Sequence, residues 1–204
     1  MEYRSIRIAD IIKEINRDYY LPAIQRGFVW EPIRIEKLFD SIMQDYPIGS
    51  FLFWKLKEEH KNDWAIYEFI RNYNEEHSLN NLANLEGINR DIYLVLDGQQ
   101  RLTAFYIGLK GSYTYFRFRC RETKLFLNLL KPPIPNEDDP EELTYQFEFR
   151  ESPLSKNSES ELWYQVGKVL DFEDAEDAKQ DIKPMISNLS EDKKDNARKL
   201  IQTH

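Results

Sequence analysis

The residues of this chain best suited by type and spacing to do chemistry are Asp97, Gly98, Gln99, Gln100 and Arg101, which follow one another directly. Asp97 offers a carboxylate that can hold a divalent cation or orient a water. Arg101 offers a planar fork of donors that matches phosphate oxygens in pairs. Gln99 and Gln100 offer amides, and an amide can orient an attacking water in nucleotide hydrolysis. Gly98 lets the backbone turn where another residue would be strained. The plainer alternative is that Asp97 only caps a helix and Arg101 only forms an ion pair.

Two other groups carry chemistry. Residues 113–121 alternate strictly, which predicts a strand with Thr114, Phe116, Phe118 and Cys120 on a core face. Tyr113, Tyr115, Arg117, Arg119 and Arg121 then share the other face. Rings interleaved with cations suit a strip that tracks nucleic-acid phosphates and stacks bases, or they are an ordinary solvated face. The second group is Gln25, Arg26 and Trp30 in the stretch AIQRGFVW, residues 23–30. Alone, Arg26 reads as a surface ion pair and Trp30 as a core anchor. His60 and His77 read as surface residues, because no second set of ligands has metal spacing.

The elements that position the first group are legible. Residues 92–96 are a short apolar run of strand formers, which predicts a buried strand. Asp97-Gly98 breaks the run. Leu102, Phe105, Tyr106 and Leu109 then recur at helical spacing, and Gly111 is a stop. The five candidate residues therefore sit where a strand ends and a helix begins, and backbone N–H groups at a helix start suit an anion.

Elsewhere, Ile8, Ile11, Ile12 and Ile15 predict a helix over residues 6–15, with Ser5 as its cap. Glu31-Pro32 opens a second helix with Ile35, Leu38, Phe39, Ile42 and Met43 as its apolar stripe. Residues 51–56 read as a strand buried on both faces. Trp64, Tyr67, Phe69, Ile70 and Tyr73 suggest a helix within an insertion over 57–91. Residues 113–130 read as a hairpin bending at 121–124, 132–143 as a loop and 144–150 as a strand. Leu162, Val166, Val169 and Leu170 predict one helix, with two more over 173–186 and 191–202. The expected organisation is an α+β domain over 1–150, a linker over 151–160, and the start of an acidic helical region over 161–204.

Composition bounds the function. The chain has 204 residues, 41% hydrophobic and 14% aromatic, enough for one generous domain or one and part of another. Residues 1–131 hold 19 Lys and Arg against 18 Asp and Glu, whereas 132–204 hold 9 against 18. A globally basic nucleic-acid binder is excluded, and a locally basic face on the first part is not. A single cysteine, Cys120, excludes an internal disulfide and a cysteine zinc cluster. No apolar run approaches a membrane span and no signal-peptide pattern opens the chain, so a cytoplasmic protein without a membrane partner is expected.

Two blocks carry a resemblance. IQRGFVWEPIRIEKLFDSIMQDYPIGSFLFWK and LDGQQRLTAFYIGL, in that order, resemble the DGQQR-motif ParB/sulfiredoxin-like domain. That domain stands at the N-terminus of GmrSD-type, modification-dependent (type IV) restriction systems and their SspE-like relatives. The resemblance runs over about residues 6–131 and extends loosely to about 170. It implies a ParB/sulfiredoxin-like mixed-sheet α+β fold and a nucleoside triphosphate site at Asp97, Gly98, Gln99, Gln100 and Arg101. Gln25 and Arg26 would approach from the first block. It also implies hydrolysis with Mg²⁺ at Asp97, DNA (possibly modified) as a partner, and a nuclease domain or subunit. A downstream F-x-R-x-N-x-x-G segment and an HNH nuclease pattern are absent from this sequence. DNA cleavage is therefore expected elsewhere, and the chain reads as a fragment or truncated member. The competing readings are a non-hydrolysing DNA-binding or regulatory domain and a ParB-like nuclease.

Overall fold

The computed structural model of the chain describes residues 3–23, 26–116, 119–134, 143–151 and 160–202. Gln25 and Arg117 lie outside these. Along the chain run α1 (Ile8–Glu14), β1 (Tyr19–Pro22), α2 (Pro32–Met43), β2 (Leu52–Leu56), β3 (Ile66–Tyr67), β4 (Asn72–Asn74) and β5 (Ile92–Asp97). After these come α3 (Gln99–Lys110), β6 (Ser112–Phe116), β7 (Cys120–Asn128), β8 (Phe147–Glu151), β9 (Trp163–Gln165), α4 (Ala175–Ile186) and α5 (Glu191–Gln202). The fold is α+β with mixed sheets. The chain divides into two compact units: Met1–Trp30 with Gly49–Cys120, and Glu31–Ile48 with Arg121–His204. These units cut the chain differently from the expected linker, whose residues 152–159 lie outside the described ones.

In the first unit a sheet runs in the order β2-β5-β1-β3. β5 is parallel to β1, with Tyr93 opposite Tyr19, and antiparallel to β2, with Val95 opposite Phe53. β5 is interior because its apolar run has no polar position to turn outward: Ile92, Leu94 and Val95 are fully buried. Tyr20, Leu56 and Ile66 join Ile92 and Leu94 in one core, capped by Ala83, Leu85 and Ile88. β2, expected to be buried on both faces, is instead an edge strand, and Leu52 and Trp54 are exposed. Leu102, Ala104, Phe105 and Ile107 bury α3. β4 pairs in parallel with β6, with Tyr73 opposite Tyr113.

Three local expectations differ in the structure. α1 begins at Ile8 behind Arg7, with no side-chain cap. The aromatic run from Trp64 to Tyr73 is not a helix. A 3₁₀ turn (Glu58–Asp63) precedes β3 and β4, and Asn16 clamps the Phe69 backbone from both sides. Asn16 Nδ2 donates to Phe69 O at 2.9 Å, and Phe69 N donates to Asn16 Oδ1 at 2.7 Å. The predicted alternation over 113–121 is not one strand either. Tyr113 is only 2% exposed and packs on Tyr73 at 4.9 Å, while Phe116 is 50% exposed. Tyr113 points inward because β4 supplies the ring that covers it.

In the second unit β7 pairs antiparallel with β8, Leu125 opposite Phe149, and with β9, Asn128 opposite Trp163. Residues 121–124 lie within β7 and are not the expected bend. α2 lays Phe39 against Phe147 at 5.9 Å. Its buried carboxylates meet the backbone beside and within β8: Tyr145 N donates to Asp40 Oδ1 at 2.7 Å and Phe149 N to Glu36 Oε1 at 3.0 Å. The helix expected through Leu162 and Leu170 is β9 followed by a 3₁₀ turn (Val166–Asp171). Pairing with β7 buries Trp163 and Tyr164, and a helix there would forfeit that. α4 and α5 form near their predicted spans, with Ile182, Ile186, Ala197 and Leu200 buried.

Candidate functional site

β5 delivers Asp97 to the sheet edge, opposite Leu52 of β2. Gly98 follows at φ +85 and is the N-cap of α3, so Asp97 is not the cap. A side-chain carbon at Gly98 would overlap Phe51 Cδ1, so the ring of Phe51 lies directly on the turn. The first intrahelical bond is from Leu102 N to Gly98 O at 2.9 Å. The N–H groups of Gln99, Gln100 and Arg101 precede it, and no acidic side chain stands in the first turn. That is the local chemistry of an anion site.

Arg101 is set in a cradle made by the segment before β2. Its Nη2 donates to Ser50 O at 2.9 Å, and its Cζ lies 4.9 Å from the centre of the Phe51 ring. Gly49, at φ +81, brings bare backbone against Nη1. Nη2 is also 3.6 Å from Asp97 Oδ2, with Arg101 21% and Asp97 71% exposed. With the carboxylate so open to solvent and the separation this long, the pair contributes little to folding. The guanidinium is thus aimed by the protein, beside a carboxylate that faces water.

The two amides are engaged. Gln99 is buried and donates through Nε2 to Val95 O. Gln100 donates to Gly27 O at 2.9 Å and accepts from Val29 N at 3.1 Å. It thereby ties the segment after Arg26 to the first turn of α3. Phe28 and Trp30 anchor that segment in the interior, and Arg26 stays exposed, lining a cleft of about 230 Å³ with Leu21, Tyr67 and Asn80. Asp97, Gly98, Gln100 and Arg101 are therefore brought together with residues 27–29. Gln25 lies outside the described residues. Sequence reasoning missed Gly49, Ser50 and Phe51. Their signal was the turn Tyr46-Pro47-Ile48-Gly49 ahead of a strand, within the first of the two resembling blocks.

Residues 8–204 match the family described as GmrSD restriction endonuclease, N-terminal domain. The chain belongs to this family. It is also similar to the uncharacterized protein MJ0686 of Methanocaldococcus jannaschii, with 31% identity over 125 residues, 61% of this chain and 20% of that protein. The chain thus spans well under two thirds of that relative's length.

Among the described residues of this GmrSD N-terminal domain, no group of three or more His, Cys, Asp and Glu could hold a metal ion. Asp97 alone fits Mg²⁺ only in the usual arrangement of one carboxylate completed by phosphate oxygens and water. His60 sits on the surface beside Asp63, with Nδ1 3.0 Å from Oδ2. The basic strip is not assembled as one face. Tyr113 is core, Tyr115 is half-buried against it at 5.6 Å, and Arg119 and Arg121 are exposed, Arg121 at 3.0 Å from Glu151. Arg117 lies outside the described residues. Among the described residues no helix is long and apolar enough to cross a membrane.

Proposed function

We propose that this domain binds a nucleoside triphosphate at the start of α3 and hydrolyses it, as the nucleotide-responsive part of a DNA restriction system. DNA cleavage then belongs to another domain or subunit, and a ParB/sulfiredoxin-like reading of the fold goes with the proposal. The observation that carries it is the cradle of Arg101: Ser50 O, the Phe51 ring and the bare backbone of Gly49 aim a guanidinium across the first turn of a helix. Arg101 and the N–H groups of residues 99–101 receive phosphate oxygens. Asp97, open to solvent, orients the attacking water or holds Mg²⁺. When bound, Mg²⁺ would neutralise charge on the phosphates. Gln99 and Gln100 hold the turn and bring the segment that follows Arg26 beside it.

The test is titration calorimetry with ATP, GTP, CTP and UTP, with and without Mg²⁺, on the chain and two variants. Arg101→Ala is expected to weaken binding roughly tenfold to a hundredfold, the worth of a charge-assisted hydrogen bond. Asp97→Asn is expected to keep much of the metal-free binding and lose turnover. If Arg101→Ala lowers the melting temperature sharply and leaves affinity alone, Arg101 is a structural residue and the reading fails.

A further inference from the structure

Four rings form a strip on one face of the first sheet. Phe51, just before β2, and Phe53 within it project to the same side, because side chains alternate along extended chain. Their rings stand 6.2 Å apart and 14° from parallel. Phe53 meets Tyr19 edge-on at 5.1 Å, and Tyr19 stacks on Tyr93 at 5.2 Å and 21°. All four are half-buried. The opposite face, with Leu56, Ile92 and Leu94, is instead sealed as core. The strip starts at the phosphate anchor, since Phe51 is the ring under Arg101 and against Gly98.

We propose that this strip is the platform for the base of the nucleotide, with the flat ring of the base laid on Phe51 and Phe53. The inference rests on the reading of Arg101 as a phosphate anchor. A nucleotide is anionic at one end and flat, aromatic and weakly polar at the other. The strip has the complementary order: cation and helix N–H groups first, then π surface running away from them. Among the described residues β2 ends its sheet, paired with β5, and Phe51 and Phe53 keep part of their ring surface accessible. Stacking on an aromatic side chain stabilises any base, because every base has a π face.

The test compares nucleotides with inorganic tripolyphosphate, which has the phosphates and no base. Titration calorimetry uses the whole chain, Phe53→Leu, Phe53→Tyr and Arg101→Ala. The expected result is that at least one of ATP, GTP, CTP and UTP binds about tenfold more tightly than tripolyphosphate. Phe53→Leu then removes that advantage and leaves tripolyphosphate affinity unchanged, which also shows that the variant is folded. Phe53→Tyr restores it, and Arg101→Ala weakens both ligands. Equal affinity for tripolyphosphate and every nucleotide overturns the platform and leaves the phosphate anchor standing. So does a Phe53→Leu loss that falls equally on both ligands. Binding of neither ligand by the unaltered chain overturns the anchor and the platform together.

Discussion

The guanidinium of Arg101 lies against the bare backbone of Gly49: a side-chain carbon built at Gly49 would stand 2.8 Å from Nη1. Gly49 also holds φ +81, a conformation that costs other residues free energy. Gly49→Ala is therefore expected to push the guanidinium out of its cradle, because the far end of a flexible side chain gives way before backbone does. The cost in stability should be about 1 kcal/mol or somewhat more. Triphosphate affinity should fall about tenfold, toward the value for Arg101→Ala. Unaltered affinity measured by calorimetry would show that the cradle does not aim this group.

Gly98 carries a harsher constraint, since a side-chain carbon there would overlap the Phe51 ring and φ is +85. A ring wedged between a turn and a guanidinium has less freedom to move than the guanidinium itself. Gly98→Ala is expected to lower the melting temperature more than Gly49→Ala and to weaken nucleotide binding as well. Equal melting temperatures for the two variants, read by circular dichroism, would count against this account.

Gln100 bridges Gly27 O and Val29 N with both ends of its amide. Gln100→Ala removes both bonds, each worth about 1 kcal/mol. Amide exchange at Val29 is expected to quicken about tenfold, with little change in global melting. Gln100→Glu keeps the acceptor for Val29 and loses the donor to Gly27, so its exchange rate should fall between the two. Unchanged protection of Val29 in Gln100→Ala would mean that Phe28 and Trp30 alone hold the segment.

Glu36 introduces a pH dependence. Burial pushes its carboxyl from 4.5 up to about 7, partly offset by the Phe149 N–H that it accepts. Asp40, one turn on, is raised by the same cause. A carboxyl with a raised folded pKa binds its proton more readily folded than unfolded. Its contribution is fully present below the unfolded pKa and is lost as pH rises through about 7. The range amounts to about 3 kcal/mol. Glu36→Gln keeps an acceptor for Phe149 and has no charge to bury. Its melting temperature is expected to exceed that of the unaltered chain at pH ~8, with the gap narrowing toward pH ~5. A gap independent of pH would show that Glu36 does not titrate in this window.

Arg119 and Arg121 are the exposed, described cations of the stretch that the sequence suggested could track nucleic acid, and each is a separate candidate phosphate contact. The Arg121–Glu151 pair is half exposed on both sides, so a phosphate can compete for it at little cost. Replacing both arginines with Ala is expected to reduce the dependence of log affinity for duplex DNA on log salt, by roughly 1 for each phosphate that is no longer neutralised. Nucleotide binding should be unchanged. An unaltered slope in a salt series returns these arginines to an ordinary solvated face.

The sequence by itself determined the parts whose signal is local. The apolar run of β5, the break at Gly98 and the helical spacing of Leu102, Phe105 and Tyr106 place Asp97 and Arg101 where the structure has them. The stripe Ile35, Leu38 and Phe39 likewise marks α2. Only the tertiary structure decided what those residues face. Alternation over 113–116 distinguishes two faces and does not say which is inward; β4 settles that by covering Tyr113. Leu162 and Val166 suit a helix by spacing, yet Trp163 and Tyr164 bury more by pairing with β7. Gln100 and Val29 stand 71 residues apart, and Arg101 and Ser50 stand 51 apart. Periodicity is a property of neighbouring residues, and the cradle of Arg101 is made by residues that meet only when β2 pairs with β5.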